Sequence, residues 1–463
     1  MLITRSRLAA ALAAISTLAF APTALASSSP AEVTHAIDGG VAYLKAQQAA
    51  NGSFEGFGGE WALSSLAAAG APPAGVKRTA DATNARSYYR ELIGDSASWP
   101  GAEAPVTDFE VASLAAYAAG IDPARVSPTQ NLIAQILAHY RPSDPGAYGG
   151  AELFNGTAFA LMALADAKTR TGAQRVPKVL LEKSVEVVRR NQHTDGGWGY
   201  SVAEGDMKAL EAPAEAEFTG ATIAALCGAG VHSSDPAIQS ALGFLKAEQA
   251  AEPAGSGAFE SEFGVNTDTT AWVVEGLNAC GINPQGGEFT TSSGHTPIDY
   301  LISQQLPEGG FQYEAEEGEP NLYSTQDAVR ALAGAGFTAA PSKAKGQPLW
   351  AYEKKFTPAD STELGLIVNT GSSPLQVCSV SLTPTSTKVT LASVLEAAET
   401  SATPAGCVSA FTPSSGKGAI TSIDGSPNPA QASWHVSIDG GAETQATRKT
   451  RVGIGDTIYL RES

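Results

Sequence analysis

The feature that most constrains this chain is a repeat. Four segments share one pattern: AYLKAQQAANGSF (42–54), VEVVRRNQHTDGGW (185–198), GFLKAEQ running on to GSGAF (243–259), and DYLISQQLPEGGF (299–311). Each is an amphipathic helical stretch that ends near a Gln, followed by a turn and then Gly-x-aromatic. Three keep the spacing Q-x-x-x-G-x-aromatic: Gln48/Gly52/Phe54, Gln192/Gly196/Trp198 and Gln305/Gly309/Phe311. A fifth copy, RPSDPGAY, keeps Gly146 and Tyr148 but has Pro142 at the Gln position. A sixth, around Ser98-Trp99, is degenerate. The aromatic positions recur about every fifty residues, a period that marks repeated supersecondary units.

A second apolar stretch follows each turn: EWALSSLAAAG (60–70), TDFEVASLAAYAAG (107–120), FNGTAFALMALADA (154–167), EFTGATIAALCGAG (217–230), DTTAWVVEGLNACG (268–281) and STQDAVRALAGAG (324–336). Most end in Gly, the usual left-handed helix stop, and many begin with Thr, Asp, Asn or Ser, the usual N-caps. The first helix of each pair carries Lys, Arg and Glu on one face, whereas the second is nearly free of polar residues. The second helices are therefore expected inside and the first outside. Six such hairpins close most simply into a ring, a mainly α fold of the α6/α6 toroid type, with an open superhelical solenoid as the alternative. In a ring, the starts of the inner helices surround one central cavity.

Beyond a Pro/Lys/Gly-rich linker (338–360) the chain changes character. ELGLIVNTG, LQVCSVSL, GAITSIDG, ASWHVSIDGG and GDTIYLRE read as strands, by β-branched alternation and flanking turns, and VTLASVLEAAE (389–399) reads as one helix. This second part (361–463) is expected to be a small α+β domain.

The chain opens MLITRSRLAAALAAISTLAFAPTALASSS, with Arg5 and Arg7 before an apolar run and Ala24-Leu25-Ala26 as an A-x-A site. That is the pattern of a secretory signal peptide over 1–26, leaving a helical part at 27–337. The expected destination is outside the cell or in its envelope. Apart from this run nothing is long and apolar enough to suggest a membrane span. The formal net charge is −18, and loss of Arg5 and Arg7 with the leader takes it to −20. Such a surface repels nucleic acid and anionic lipid. There are four cysteines and no CxxC or close Cys/His cluster, so no structural zinc site is expected. In an oxidising compartment two disulfides are open. Cys378 and Cys407 both fall in the C-terminal part and are expected to pair. Cys227 and Cys280 lie at matching ends of consecutive inner helices, either bonded or as two buried thiols.

The turn motifs resemble the QW repeats of the squalene cyclases, whose toroid is similar to that of terpene cyclases, protein prenyltransferase β-subunits, complement thioester domains and the transcobalamin/intrinsic factor family. The C-terminal order of elements (the helix with VLEAAE, the strand ITSIDG, the Trp434 strand and the closing Gly-Asp-Thr-Ile) resembles the small β-domain of transcobalamin and intrinsic factor. That pairing implies a carrier that holds a corrinoid such as cobalamin between the two parts, with no cofactor fixed beyond this carried ligand.

The squalene cyclases protonate their substrate with the acid of DxDDTA. The same frame here is Asn266-Thr267-Asp268-Thr269-Thr270-Ala271. The central Asp is present and both flanking acids are gone. Protonating an alkene needs a carboxyl that is held protonated yet strongly acidic. An Asp in the first turn of a helix is expected to be the reverse, a carboxylate stabilised by the helix dipole with a lowered pKa. Asp268 therefore reads first as a capping or first-turn residue, and Asp108 occupies the equivalent place in its own repeat. No D-x-C zinc pair of the prenyltransferases and no CGEQ of the thioester proteins occurs. The six histidines are scattered and read as surface residues.

Two functions with a small-molecule partner remain, beside a cell-envelope adhesion or scaffold module with no small ligand. One is a secreted, non-catalytic protein that binds an apolar, planar small molecule, with Trp61, Asp108, Asn155, Asp268, Trp272, Tyr323 and Gln326 from the inner-helix starts and Trp434 facing them from the β-domain. The other is a reduced terpenoid cyclase with Asp268 as its acid. No metal site is expected in either, and the oligomeric state is left open.

Overall fold

The computed structural model describes residues 27–338 and 363–462, apart from 55–58, 98, 101–103, 152, 170–175, 202–212, 250–255, 372–374, 383–388, 404–406, 414–417, 425 and 428–433. The leader expected at 1–26 lies outside the described residues, as does the expected linker from residue 339 on.

Among the described residues, twelve helices precede the sheet. They are α1 (Pro30–Gln47), α2 (Gly59–Ala68), α3 (Ala85–Gly94), α4 (Val106–Ala118), α5 (Leu132–Ala138), α6 (Asn155–Thr169), α7 (Lys178–Arg190), α8 (Ala216–Gly228), α9 (Pro236–Glu248), α10 (Thr267–Ala279), α11 (Pro297–Ser303) and α12 (Leu322–Leu332). The even-numbered helices are the nearly polar-free segments, and they are buried on almost every side: in α8 all residues from Phe218 to Cys227 are buried. A helix apolar all round must be covered all round. Each even helix packs on the next even one, from α2 through α12, and α12 packs back on α2. The odd helices lie outside them.

The repeat motif has a physical explanation. Gln192 donates from Nε2 to Gly196 O at 2.7 Å within its own turn and to Ala237 O at 2.7 Å on α9 of the next repeat. Gln48, Gln249 and Gln305 make the same pair of bonds. A side-chain amide of that length spans both carbonyls. The aromatic residue's backbone N–H then donates to a Thr hydroxyl on the following inner helix, as Trp198 does to Thr219 at 2.9 Å. The Gly between them, Gly196, has φ 100° and abuts the backbone of Ser240, so neither its dihedral nor its surroundings admit a Cβ. In the copy without a Gln, Tyr140 rather than Pro142 faces Tyr148 across the turn.

α8 and α10 pack with their backbones in direct contact. A Cβ on Gly220 would come 2.6 Å from Trp272 O, and one on Gly276 would meet the Gly220 carbonyl. Cys227 and Cys280, at the far ends of the same two helices, form a disulfide with Cα atoms 5.2 Å apart. This resolves the alternative left open for that pair.

The C-terminal part has a five-stranded sheet of β1 (Glu363–Asn369), β2 (Gln376–Ser381), β3 (Trp434–Ile438), β4 (Thr444–Gln445) and β5 (Thr457–Glu462), ordered β4-β3-β5-β1-β2. β5 and β1 run parallel and the other neighbours antiparallel. One helix, α13 (Leu391–Ser401), packs against β2. Strand alternation divides the sheet's residues between two cores. Leu364, Leu366, Val368, Val436 and Leu460 join α13 in a core of their own. Ile367, Val377 and Tyr459 join the helical core. That second face rests on the outside of the ring at α7 and the turn before α6. Tyr459 stacks on Tyr140 with centroids 6.4 Å apart, Glu363 accepts from Lys178 N at 3.0 Å, and Lys183 pairs with Asp439 at 3.4 Å. Cys378 and Cys407 are bonded, as expected, with Cα atoms 6.1 Å apart.

Trp434 does not face the inner-helix starts. It is fully buried in the second core, on the same strand face as Val436. The histidines also need a correction. His193 is buried inside its turn, and His139 is half-buried with its ring against Phe109. No described helix is long and apolar enough to cross a membrane.

Candidate functional site

Two adjoining cavities open at the end of the ring where the even helices begin. The larger, about 540 Å³, is bounded by the starts of α2, α4 and α6 and by α3. The smaller, about 310 Å³, is bounded by the starts of α8, α10 and α12. Trp61, Tyr200 and Trp272 line both and form the wall between them. Phe337 is buried against this wall, edge-on to Trp61 at 5.9 Å and to Trp272 at 5.0 Å. Phe159 meets Trp272 at 6.2 Å. Interlocked edge-to-face rings of this kind hold one another in place.

Of the residues expected at the inner-helix starts, Asp108 and Asn155 line the larger cavity, Asp268 and Tyr323 the smaller, and Trp61 and Trp272 both. Gln326 lines neither. It is fully buried in α12, and neither atom of its side-chain amide has a hydrogen-bond partner. No described residue of 363–462 lines either cavity. The sheet's second face packs on the ring's outer wall at α7, and neither of these two cavities reaches it among the described residues.

The frame around Asp268 folds as an Asx-capped helix start. The N-cap is Asn266, whose Oδ1 accepts from Thr269 N at 2.8 Å. Thr269 Oγ1 donates to Glu217 Oε2 at 2.7 Å, tying α10 to α8. Asp268 follows in the first turn with Oδ1 buried and unpartnered. Its carboxyl is pushed up to about 7, first by burial and then by the charge of Asp327. This overturns the expected lowering by the helix dipole. A dipole contributes at most about 2 kcal/mol, whereas taking a carboxylate out of water beside another carboxylate costs more.

Behind the wall lies a charged cluster. Arg330 is fully buried and bonds Glu275 from Nε at 2.8 Å and Asp327 from Nη2 at 2.6 Å. Its guanidinium lies over Trp61 at 4.7 Å and Phe337 at 5.5 Å, a cation–π arrangement. Asp327 also accepts from Trp272 Nε1 at 2.9 Å. One guanidinium thus serves two carboxylates, and burial raises both, Glu275 to about 8 despite Arg330. In the smaller cavity burial likewise raises Glu217, and in the larger it raises Glu60 and Asp108. No Lys, Arg or His is among the lining residues. Among the described residues the site is aromatic-walled, carries acids and has no basic side chain in its lining.

Sequence reasoning missed Tyr200, Glu217, Tyr313 and Asp327. Two carried a signal. Glu217 holds the place in its repeat that Asp268 holds in its own, the second residue of an inner helix two before the Thr that binds the turn. Asp327 and Arg330 stand three apart on a helix expected to be buried, a charged pair that has to be satisfied inside.

No protein-family model matches the chain, and no curated protein matches it. Solved structures with a similar course include the type II terpene cyclase MstE from Scytonema, at 17% identity and a TM-score of 0.45, covering 66% of this chain and 98% of that one. Candida albicans protein geranylgeranyltransferase-I complexed with GGPP aligns at 13% identity and a TM-score of 0.43, over 64% and 90%. Haptocorrin in complex with Cbi aligns over 93% of this chain and 97% of its own, at 12% identity and a TM-score of 0.37.

Proposed function

We propose that this protein binds a small, partly apolar molecule in the groove at the starts of the even helices, without transforming it. The observation that carries this reading is the pair of adjoining cavities sharing the wall Trp61, Tyr200 and Trp272. Their sizes fall in the range of ligand sites, roughly 300–1,000 Å³, and a mostly apolar lining with a few polar groups is what such sites use. We read the scaffold as an α6/α6 toroid over 27–337 with a small α+β domain over 361–463 docked on its side. The leader pattern at 1–26 and the two disulfides fit an exported carrier. A corrinoid such as cobalamin would have to extend across both cavities.

The test is titration of the protein with hydroxocobalamin and with a neutral planar dye such as Nile red, followed by absorbance, by fluorescence of the wall tryptophans and by calorimetry. Saturable binding lost in Trp61→Ala and Trp272→Ala is expected. If neither compound binds at micromolar concentration, the reading fails.

One observation favours a second reading, a terpenoid cyclase with Asp268 as its acid. Asp268 retains its proton up to about pH 7 and stands beside rings able to stabilise a cation. The same shift argues against it, since a raised pKa makes a weak acid and alkene protonation needs a strong one. Incubation with squalene and with prenyl diphosphates, read by mass spectrometry, decides: product that disappears in Asp268→Asn would establish the cyclase.

A further inference from the structure

We infer that the group seated in the smaller cavity is an organic cation, an ammonium carried on an apolar or aromatic body. This rests on the binding reading above and narrows it to a chemical class.

The lining combines carboxyls and ring faces. Glu217, Asp268 and Asp327 border the cavity, with Trp61, Trp272 and Tyr313 among its walls. The cation beside them, Arg330, is already committed to Glu275 and Asp327. Even with Arg330 charged, four carboxyls stand around one guanidinium. An anion or a phosphate would meet this field with no uncommitted partner of opposite sign among the described lining residues. A neutral apolar ligand would leave Asp268 Oδ1, buried and without a partner, still unpaired, and a buried polar atom without a hydrogen bond carries a cost. An ammonium meets the charge beside Asp268 and lays its alkyl groups on the ring faces, and one that carries an N–H can also donate it to the carboxylate.

The same arrangement predicts what binding does to protons. The groups facing Asp268 are Asp327, Arg330 and Ser324 from α12, Glu217 from α8, Tyr300 from α11 and Tyr313 from the turn between α11 and α12. Carboxyls this close stand together by holding protons, Asp268 up to about pH 7. A cation replaces such a proton, so binding below that pH releases one, and affinity rises as pH rises through the Asp268 titration.

The experiment is competition against Nile red by benzyltrimethylammonium and by neopentylbenzene, its uncharged carbon isostere. Calorimetry in buffers of different ionisation enthalpy counts the protons. Expected results are a preference of at least tenfold for the ammonium at pH 7.5, tighter ammonium binding at pH 8 than at pH 5.5, and proton release near pH 6. Asp268→Asn should abolish both the release and the preference, the latter taken as the ratio of the two isosteres' affinities in the variant itself. Equal binding of the two isosteres, no ammonium binding where Nile red binds, or an unchanged preference in Asp268→Asn overturns the inference and leaves the binding reading standing. If no probe binds, the binding reading itself fails and this inference with it.

Discussion

Trp272 donates its indole N–H to Asp327 at 2.9 Å, so the wall of the cavities and the buried charge cluster behind it are one hydrogen-bonded unit. The ring that a ligand would touch is held by the carboxylate that Arg330 neutralises. Trp272→Phe keeps the ring face and removes the donor. It should cost about 1–3 kcal/mol in denaturant unfolding, the usual penalty for a buried acceptor that loses a partner. Arg330→Met should cost more, about 3–5 kcal/mol, because it leaves Glu275 and Asp327 facing each other without a cation.

The pH dependence of stability has a definite sign. In the unfolded chain Asp268 loses its proton near pH 4, and in the folded protein near 7. Between those values unfolding releases a proton, so the contribution of Asp268 to stability falls as pH rises and is lost above 7. Asp268→Asn should therefore raise Tm at pH 8 and change it little at pH 4. A wild-type Tm that falls no faster than that of the variant between pH 5 and 8 would contradict the burial of this carboxyl.

Glu110 on α4 is fully buried with neither carboxylate oxygen hydrogen-bonded, and burial pushes it well above the usual carboxylate range. Burial disfavours the charged form of such a group, and its polar atoms find no partner in either form. Glu110→Leu should stabilise the protein by about 1–3 kcal/mol at pH 8, measured as a shift in the urea midpoint at constant slope.

The Cys227–Cys280 disulfide spans 53 residues and ties neighbouring inner helices. Replacing both by Ala should cost about 4 kcal/mol by the chain-entropy account. The Cys378–Cys407 bridge, over 29 residues, should cost a little less and should leave the helical ring's far-ultraviolet signal intact on reduction.

Much of the helical architecture was legible because the repeat has few chemical solutions. The Gln must reach two carbonyls, the Gly must take a positive φ against a neighbouring backbone, and the inner segments are apolar on all sides. The cavity mouth was legible for a related reason: six of the seven residues picked from the starts of those segments line it. Gln326 failed because a position one turn into a helix buried all round has no face that the sequence marks as the mouth. Trp434 failed because alternation assigns it a face of the sheet without saying which face meets the ring. The Glu275–Arg330 contact joins residues 55 apart on different helices, and no local pattern announces it. The proton affinity of Asp268 depends on Asp327 in the same non-local way.

The seam between the last repeat and the first has its own consequence. Gln305 donates to Ala36 O at 2.7 Å, Asp299 accepts from Ser28 N at 2.7 Å, and α12 packs on α2. The first hairpin thus waits for a partner 269 residues downstream before its inner face is covered. An open stack of hairpins can grow or shrink by one unit and still end in a cap. A closed one has no end to cap. Excising a single hairpin would break the circuit, exposing two apolar helices at once. Closure therefore ties the ends of the helical part to each other, so that a change in the number of hairpins is felt at both.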